Sequence, residues 1–342
     1  MSGGGMRIIL ALLFVCFLQG CAGSMDEQID EDLGLDFTNV CLGRYQMDLI
    51  DTLKMSSLMY GNRSVSFYLD SNLTESLTFD GRERFDKWSK SIQKESRRKY
   101  RAYPLSDDVR VIESETFFEN KYGDEGEKFL LKGFLLKDFS SLNRAVYARL
   151  ALSGTEGNFL ASDSEYRNKF KKLLHPAKDD LDRLLHLPWP HNQLGVCLTS
   201  DFTLNVAKAG GEKHYRTVWW NGKNDRFEIN VNVMKNKEEL SENYGTAQKL
   251  LGLFASKSLD LAGRSGRLFL SDARYAKDGL EFRWVTTDAK IGSTARPYIE
   301  LEGTVDMANY PKFKQVGMDA RDIIVIMLKT FRVRENGLIG TS

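Results

Sequence analysis

The residues that come nearest to a hydrolytic nucleophile are Gly263-Arg264-Ser265-Gly266. A strained Gly-x-Ser-x-Gly elbow would hold a serine hydroxyl beside an oxyanion hole, but this tetrapeptide is incomplete and falls in a polar turn between a helical and a strand-like stretch. Turn chemistry accounts for it. The four histidines, His175, His186, His191 and His214, lack the paired spacing of a zinc helix and have no cysteine partners, so no metal site is expected. Ala209-Gly210-Gly211-Glu212-Lys213 has the composition of a phosphate cradle without the spacing that brings backbone amides to the anion, and reads as a flexible turn. Carboxylate pairs are uninformative in a chain with 28% charged residues. The sequence thus points away from an enzyme and implies no cofactor.

What remains suits binding. Trp219 and Trp220 are adjacent in a strand-like run and must point to opposite faces, so one can enter a core while the other anchors a protein partner. Trp189 lies in Leu187-Pro188-Trp189-Pro190-His191 and is a third candidate partner-binding residue. The stretch Arg82 to Arg101 carries nine basic residues, Arg82, Arg84, Lys87, Lys90, Lys94, Arg97, Arg98, Lys99 and Arg101, with Phe85, Trp88 and Ile92 at helical spacing. A solvated helix packed on a sheet by its apolar face is the plainer reading of it. Lys and Arg number 48 against 47 Asp and Glu, which gives no reason to expect nucleic acid.

The amino terminus supplies an address. Arg7 precedes an apolar run from Ile8 to Leu18, which as a helix covers roughly 16 Å, about half of a bilayer core. It reads as a signal peptide, residues 1–20. The following Leu18-Gln19-Gly20-Cys21 resembles the lipobox of bacterial lipoproteins, which implies lipid attachment at Cys21. Ala22 after that cysteine is similar to an outer-membrane address, so the expected location is the periplasm, anchored in the inner leaflet of the outer membrane. Residues 21–37 carry Asp26, Glu27, Asp30, Glu31, Asp32 and Asp36 without a basic residue and read as an acidic tether. A calcium loop would need a glycine turn and a closing glutamate that are absent. Cys41 and Cys197 are then the remaining cysteines, either bonded to each other in an oxidising compartment or buried as small hydrophobes.

The elements behind these residues fall into two similar series. Val40-Cys41-Leu42 and Val196-Cys197-Leu198 open strand-like runs, Val40 to Leu49 and Val196 to Val206. Strands follow at Ser64 to Leu69 in the first half, and at Arg216 to Trp220 and Phe227 to Val233 in the second. Helices are predicted around Asp80 to Arg98 and Glu238 to Ser256. Strands near Val109 to Phe118, Lys128 to Leu136 and Arg144 to Leu152 match Arg267 to Tyr275, Leu280 to Thr286 and Pro297 to Val305, and each half closes with a helix, Ser164 to Leu174 and Asp319 to Phe331. Strands in succession with single helices predict an α+β fold of two similar domains, residues 38–175 and 195–342, each a mainly antiparallel sheet with two helices, arisen by internal duplication. Residues 176–194 are the expected linker, stopped and stiffened by Pro188 and Pro190. The first half carries an acidic excess and the second a basic one.

Cys41-Leu42-Gly43-Arg44-Tyr45-Gln46-Met47-Asp48-Leu49 resembles the opening of type VI secretion lipase immunity proteins. Gly195-Val196-Cys197-Leu198, Phe282-Arg283-Trp284, Pro297-Tyr298-Ile299-Glu300-Leu301 and Thr330-Phe331-Arg332-Val333-Arg334 are similar to that family's C-terminal domain. Where the family has Leu-Pro after its first strand, this chain has Leu49-Ile50. The resemblance implies an antitoxin that binds and inhibits a secreted phospholipase in the periplasm by clamping or occluding its active site, with that effector as protein partner and no small-molecule substrate. The competing reading is an envelope-assembly or structural outer-membrane lipoprotein that binds another envelope protein. For the address, Cys21→Ala is expected to move the protein from the membrane to the soluble fraction on fractionation, and retention in the membrane would exclude the lipid anchor.

Overall fold

The computed structural model describes residues 37–338 apart from 51–52, 63–64, 71–85, 87–88, 92, 95–99, 119–127, 140, 142–143, 154–167, 169–170, 173, 176–177, 180, 193, 199–201, 206–211, 221–223 and 244–255. The signal sequence, Cys21 and the acidic tether to residue 36 lie outside the described residues.

The strands of the first half are β1 (Phe37–Leu42), β2 (Tyr45–Ile50), β3 (Lys54–Asn62), β4 (Val65–Asp70), β5 (Tyr100–Pro104), β6 (Val109–Phe118), β7 (Lys128–Phe139), β8 (Arg144–Ser153) and β9 (Leu184–His186). Those of the second are β10 (Val196–Cys197), β11 (Phe202–Leu204), β12 (Glu212–Trp220), β13 (Arg226–Asn232), β14 (Ser256–Ser258), β15 (Gly266–Asp272), β16 (Gly279–Thr286), β17 (Tyr298–Asp306) and β18 (Arg332–Val333). Two helices, α1 (Pro311–Gln315) and α2 (Ala320–Lys329), precede β18, and described residues 237–243 are also helical. Every pairing between these strands is antiparallel, and the molecule is α+β. No described helix is long and apolar enough to cross a membrane.

The strands make one twelve-stranded sheet and two three-stranded ones. Outward from a central β12–β3 pair, the large sheet runs β13, β17, β16, β15, β14 on one side and β4, β8, β7, β6, β5 on the other. Each half was expected to hold a sheet of its own; the two sets of strands instead join edge to edge, Tyr215 opposite Tyr60 and Thr217 opposite Leu58. Joining them satisfies two strand edges that separate sheets would leave unpaired.

Alternation fixes which face is core. In β13, Phe227, Ile229 and Val231 are buried on one face, and in β16 Phe282 and Trp284 share it. Against this face lies α2, begun by a capping box in which Asp319 accepts from the Arg321 and Asp322 amides and Asp322 accepts from Asp319. Its residues Ala320, Ile323, Ile324, Met327 and Leu328 are buried at spacings of three and four and pack on β2, β16 and β17. Phe331, just beyond α2, stacks on Tyr45 at 5.0 Å.

Several boundaries differ from expectation for local reasons. The run Val40 to Leu49 is a hairpin, because Gly43 takes φ +69° and turns the chain between β1 and β2. The run Val196 to Val206 likewise divides into β10 and β11. Strand β3, which lacks clear alternation, went unread, and the expected basic helix gives way to β5 at Tyr100. The expected helix ending at Ser256 has a strand there, β14. The expected linker 176–194 contains β9, which pairs with β11.

Cys41 and Cys197 are joined in a disulfide, with a Cα–Cα separation of 6.0 Å and 156 residues between them. Because such a bridge closes a long loop in the unfolded chain, replacing both cysteines by serine is expected to lower unfolding stability by about 2–4 kcal/mol. Urea midpoints of the variant and of the oxidised parent measure this, and equal midpoints would show that the bond contributes nothing.

Candidate functional site

On the face opposite α2, the strands β15, β16, β17 and β13 present two transverse rows of side chains. The first is Ser271, Glu281, Thr304 and Arg226, and the second is Phe269, Arg283, Glu302 and Glu228, each residue opposite the next in register. These residues occupy the polar positions of alternating strands, Arg-Phe-Glu-Ile-Asn-Val in β13 and Glu-Phe-Arg-Trp in β16. One end of this face is closed by a small apolar cluster of Met234, Phe269, Val285 and Tyr298, against which Leu240 of the helical residues 237–243 packs. Beyond that cluster the described residues leave a concavity. A cavity of about 450 Å³ is lined there by both rows except Glu228, by Asp272 and Arg274, and by Leu270, Phe282 and Gly303 from the intervening row.

The charges of this face are internally connected. Arg226 pairs with Glu228, which is 1% exposed and also accepts from Asn230 Nδ2 at 2.8 Å. Arg283 pairs with the buried Glu300. Glu281 accepts from the Arg274 amide at 3.3 Å. Five carboxylates, those of Glu228, Glu300, Glu302, Glu281 and Asp272, therefore stand near three guanidinium groups, those of Arg226, Arg283 and Arg274. Burial pushes the carboxyl of Glu300 up to about 7, with Arg283 pulling the other way and Glu302 adding to the rise. At the end of the β15–β16 hairpin, next to Arg274, Tyr275 is 85% exposed. A charged concavity with an aromatic at its edge can receive side chains of a protein partner.

The residues singled out from sequence are dispersed. Trp219 is half-buried on the core side of β12, packed against the main core. The side chain of Trp220 lies outside the described residues. Trp189 donates from Nε1 to Asn39 Oδ1 at 2.9 Å and its ring meets His191 edge-on at 5.5 Å, so it ties the interdomain segment to β1. His191 Nε2 lies 2.7 Å from Thr203 Oγ1. Gly263-Arg264-Ser265-Gly266 is a turn in which Leu261 and Arg264 exchange backbone hydrogen bonds of 3.0 and 2.9 Å. Arg264 is buried there on Asp288 and the Pro297 carbonyl, and Gly266 leaves room for the Trp284 ring. The sequence reading missed the two charged rows, although the polar/apolar alternation of β13, β16 and β17 was the signal for them.

No protein-family model matches the chain, and no curated protein matches it. Among solved structures, the chain is similar to the apo form of the immunity protein TplEi of the T6SS from Pseudomonas aeruginosa. Their identity is 14% and the TM-score 0.55, over 87% of this chain and 97% of that one. The same immunity protein complexed with an "L" peptide gives 15% identity and a TM-score of 0.53, over 87% and 98% of the two chains. The Tle4-Tli4 complex gives 14% and 0.54, again over 87% and 98%. At these identities the likeness is one of fold, and it extends over both halves of the chain.

The carboxyl of Glu300 supplies a test of this electrostatic arrangement. Its ordinary value of 4.5 is raised in the folded protein, so the native state holds the proton more tightly than the unfolded chain, and stability is lost as pH rises through that interval to about 7. Glu300→Gln is expected to flatten this part of the stability profile in thermal melts across the same range. An unchanged slope would show that Glu300 is not the titrating group.

Proposed function

We propose that this protein is an immunity protein that binds a type VI secreted phospholipase in the periplasm and inhibits it by occluding its active site. The observation that carries the reading is the likeness of fold, over 87% of the chain, to an immunity protein of a type VI secretion system. That neighbour is also known bound to a peptide, and another neighbour belongs to a two-protein complex. Inhibition of this kind requires complementary surface and no catalytic group, which agrees with the intramolecular, structural contacts of Ser265's turn, His186 and His191. The Cys41–Cys197 bond suits an oxidising compartment. Lipid attachment at Cys21 would hold the inhibitor beside the membrane that a phospholipase attacks.

In this reading the open face of β13, β15, β16 and β17 meets the effector. Its surplus of carboxylates favours a basic patch on the partner, whose approach it would steer. The two halves, residues 38–175 and 195–342, are in our reading repeats of one unit, because the strands of the large sheet take the same order on both sides of the β12–β3 pair.

The test is inhibition. Purified residues 25–342 in equimolar amount are expected to abolish the activity of the phospholipase encoded by the adjacent gene, and Glu302→Arg to weaken the complex about ten-fold, or 1.4 kcal/mol. Full phospholipase activity beside excess folded protein excludes the immunity reading. Undiminished binding by Glu302→Arg excludes only this face.

A further inference from the structure

Each three-stranded sheet is completed from the other half of the chain. β1 and β2 form a hairpin whose third strand is β18, the last of the chain, with Arg332 opposite Gln46 and Val333 opposite Tyr45. β10 and β11 form the corresponding hairpin of the second half. Its third strand is β9, which ends the first half, with His186 opposite Phe202 and Leu185 opposite Thr203. In both sheets the incoming strand adds antiparallel to the second strand of the hairpin.

The two hairpins are fastened to each other and to the tail. Gly43 and Cys197 exchange backbone hydrogen bonds of 3.1 and 3.0 Å beside the disulfide. The Arg334 amide donates to the Arg44 carbonyl at 3.1 Å, and Arg44 Nη1 donates to the Gly337 carbonyl at 2.7 Å. Arg334 Nη2 donates to the Gly195 carbonyl, so this buried residue touches the start of both halves. Glycine at 337 is required by close approach, since a Cβ there would strike the Arg44 carbonyl.

We infer that the chain is a closed ring of two strand-exchanged halves, in which the outer edge of β2 is a strand-accepting site and residues 331–337 are the latch that fills it. β9 plays the same part for β11 within the chain, where residues 187–195 connect it to β10. The latch and β1 are the equivalent pair, and no short connection joins them as residues 187–195 join β9 to β10. The order of the halves is therefore not essential to the fold. A chain beginning at residue 195, running to 338, continuing through a linker into residue 37 and ending at 190 has the same pairings available. A flexible linker of about a dozen residues, which spans roughly 20 Å, joins the latch to the start of β1 in that chain. A merely tandem pair of domains would complete each small sheet from within its own half and would give β9 to β2 and β18 to β11.

Two measurements decide this. In the full chain with its natural disulfide kept, Gln46→Cys, Arg332→Cys, Leu185→Cys and Thr203→Cys together offer a choice of partners, read by mapping disulfide-linked peptides after oxidation. Bonds 46–332 and 185–203 are expected, while bonds 46–185 and 203–332, or none, overturn the exchange. Gln46→Cys with Arg332→Cys alone, both away from the core, gives the same reading should the buried Thr203 site tolerate no cysteine. The permuted chain is expected to unfold cooperatively with a midpoint within a few degrees of the parent and to form the Cys41–Cys197 bond. A permuted chain that stays unfolded overturns the closure. Neither result depends on whether the protein inhibits a phospholipase.

Discussion

The structure depends on the seam where the two hairpins meet. There the chain buries two guanidinium groups, Arg44 at 3% and Arg334 at 1% exposure. Burial and the neighbouring Arg44 lower Arg334 to about 10, which leaves it a cation at neutral pH. Such charges persist in an interior only where acceptors replace lost water. The acceptors here are main-chain carbonyls, of Gly337 for Arg44 and of Gly195 for Arg334. They lie in segments far apart in sequence, so these two hydrogen bonds form only when the tail, the first hairpin and the start of the second half are all in place. The disulfide and the Gly43–Cys197 bridge fasten two of these segments, the first hairpin and the start of the second half, to each other.

From that seam the large sheet extends in both directions, and its two faces take different tasks. One is closed by α2 and the aromatic core of Tyr45, Trp284 and Phe331. A second anchor lies at the far end of β17, where the buried Asp225 accepts from the Asp306 amide at 2.6 Å, from Asn309 at 2.8 Å and from the Tyr310 hydroxyl at 2.7 Å. The opposite face holds charges that pair along β13, Arg226 with Glu228, and between β16 and β17, Arg283 with Glu300, beside a cavity. These pairs keep the arginines and glutamates of that face in defined positions. The fold that carries this face is similar to that of an immunity protein of the T6SS from Pseudomonas aeruginosa.

Much of the element pattern could be read directly from the chain. Val109–Phe118 alternates and ends in turn residues, and its strand has those limits. The last helix was legible from its capping box and from Ile323, Ile324, Met327 and Leu328 at helical spacing. Strand β3 was not, because Met-Ser-Ser-Leu-Met-Tyr-Gly gives no clean alternation and its place is fixed by pairing to β12. The functional face was half legible. The polar residues of β13, β16 and β17 alternate visibly, but their gathering into one cavity depends on register between strands up to about eighty residues apart in sequence.

The sequence by itself determined the antiparallel α+β class, most strand positions, the polarity of each strand's two faces and the resemblance carried by its strand openings. These follow from short-range properties such as period, capping and turn residues, which are written in neighbouring positions. Only the tertiary structure decided that the halves share one sheet, that Cys41 meets Cys197, and that β9 and β18 each complete the other half's hairpin. A two- or three-residue strand carries almost no signal of its partner. Its choice is made by which edge would otherwise keep unpaired amides and carbonyls, and by which carbonyls a buried arginine can reach.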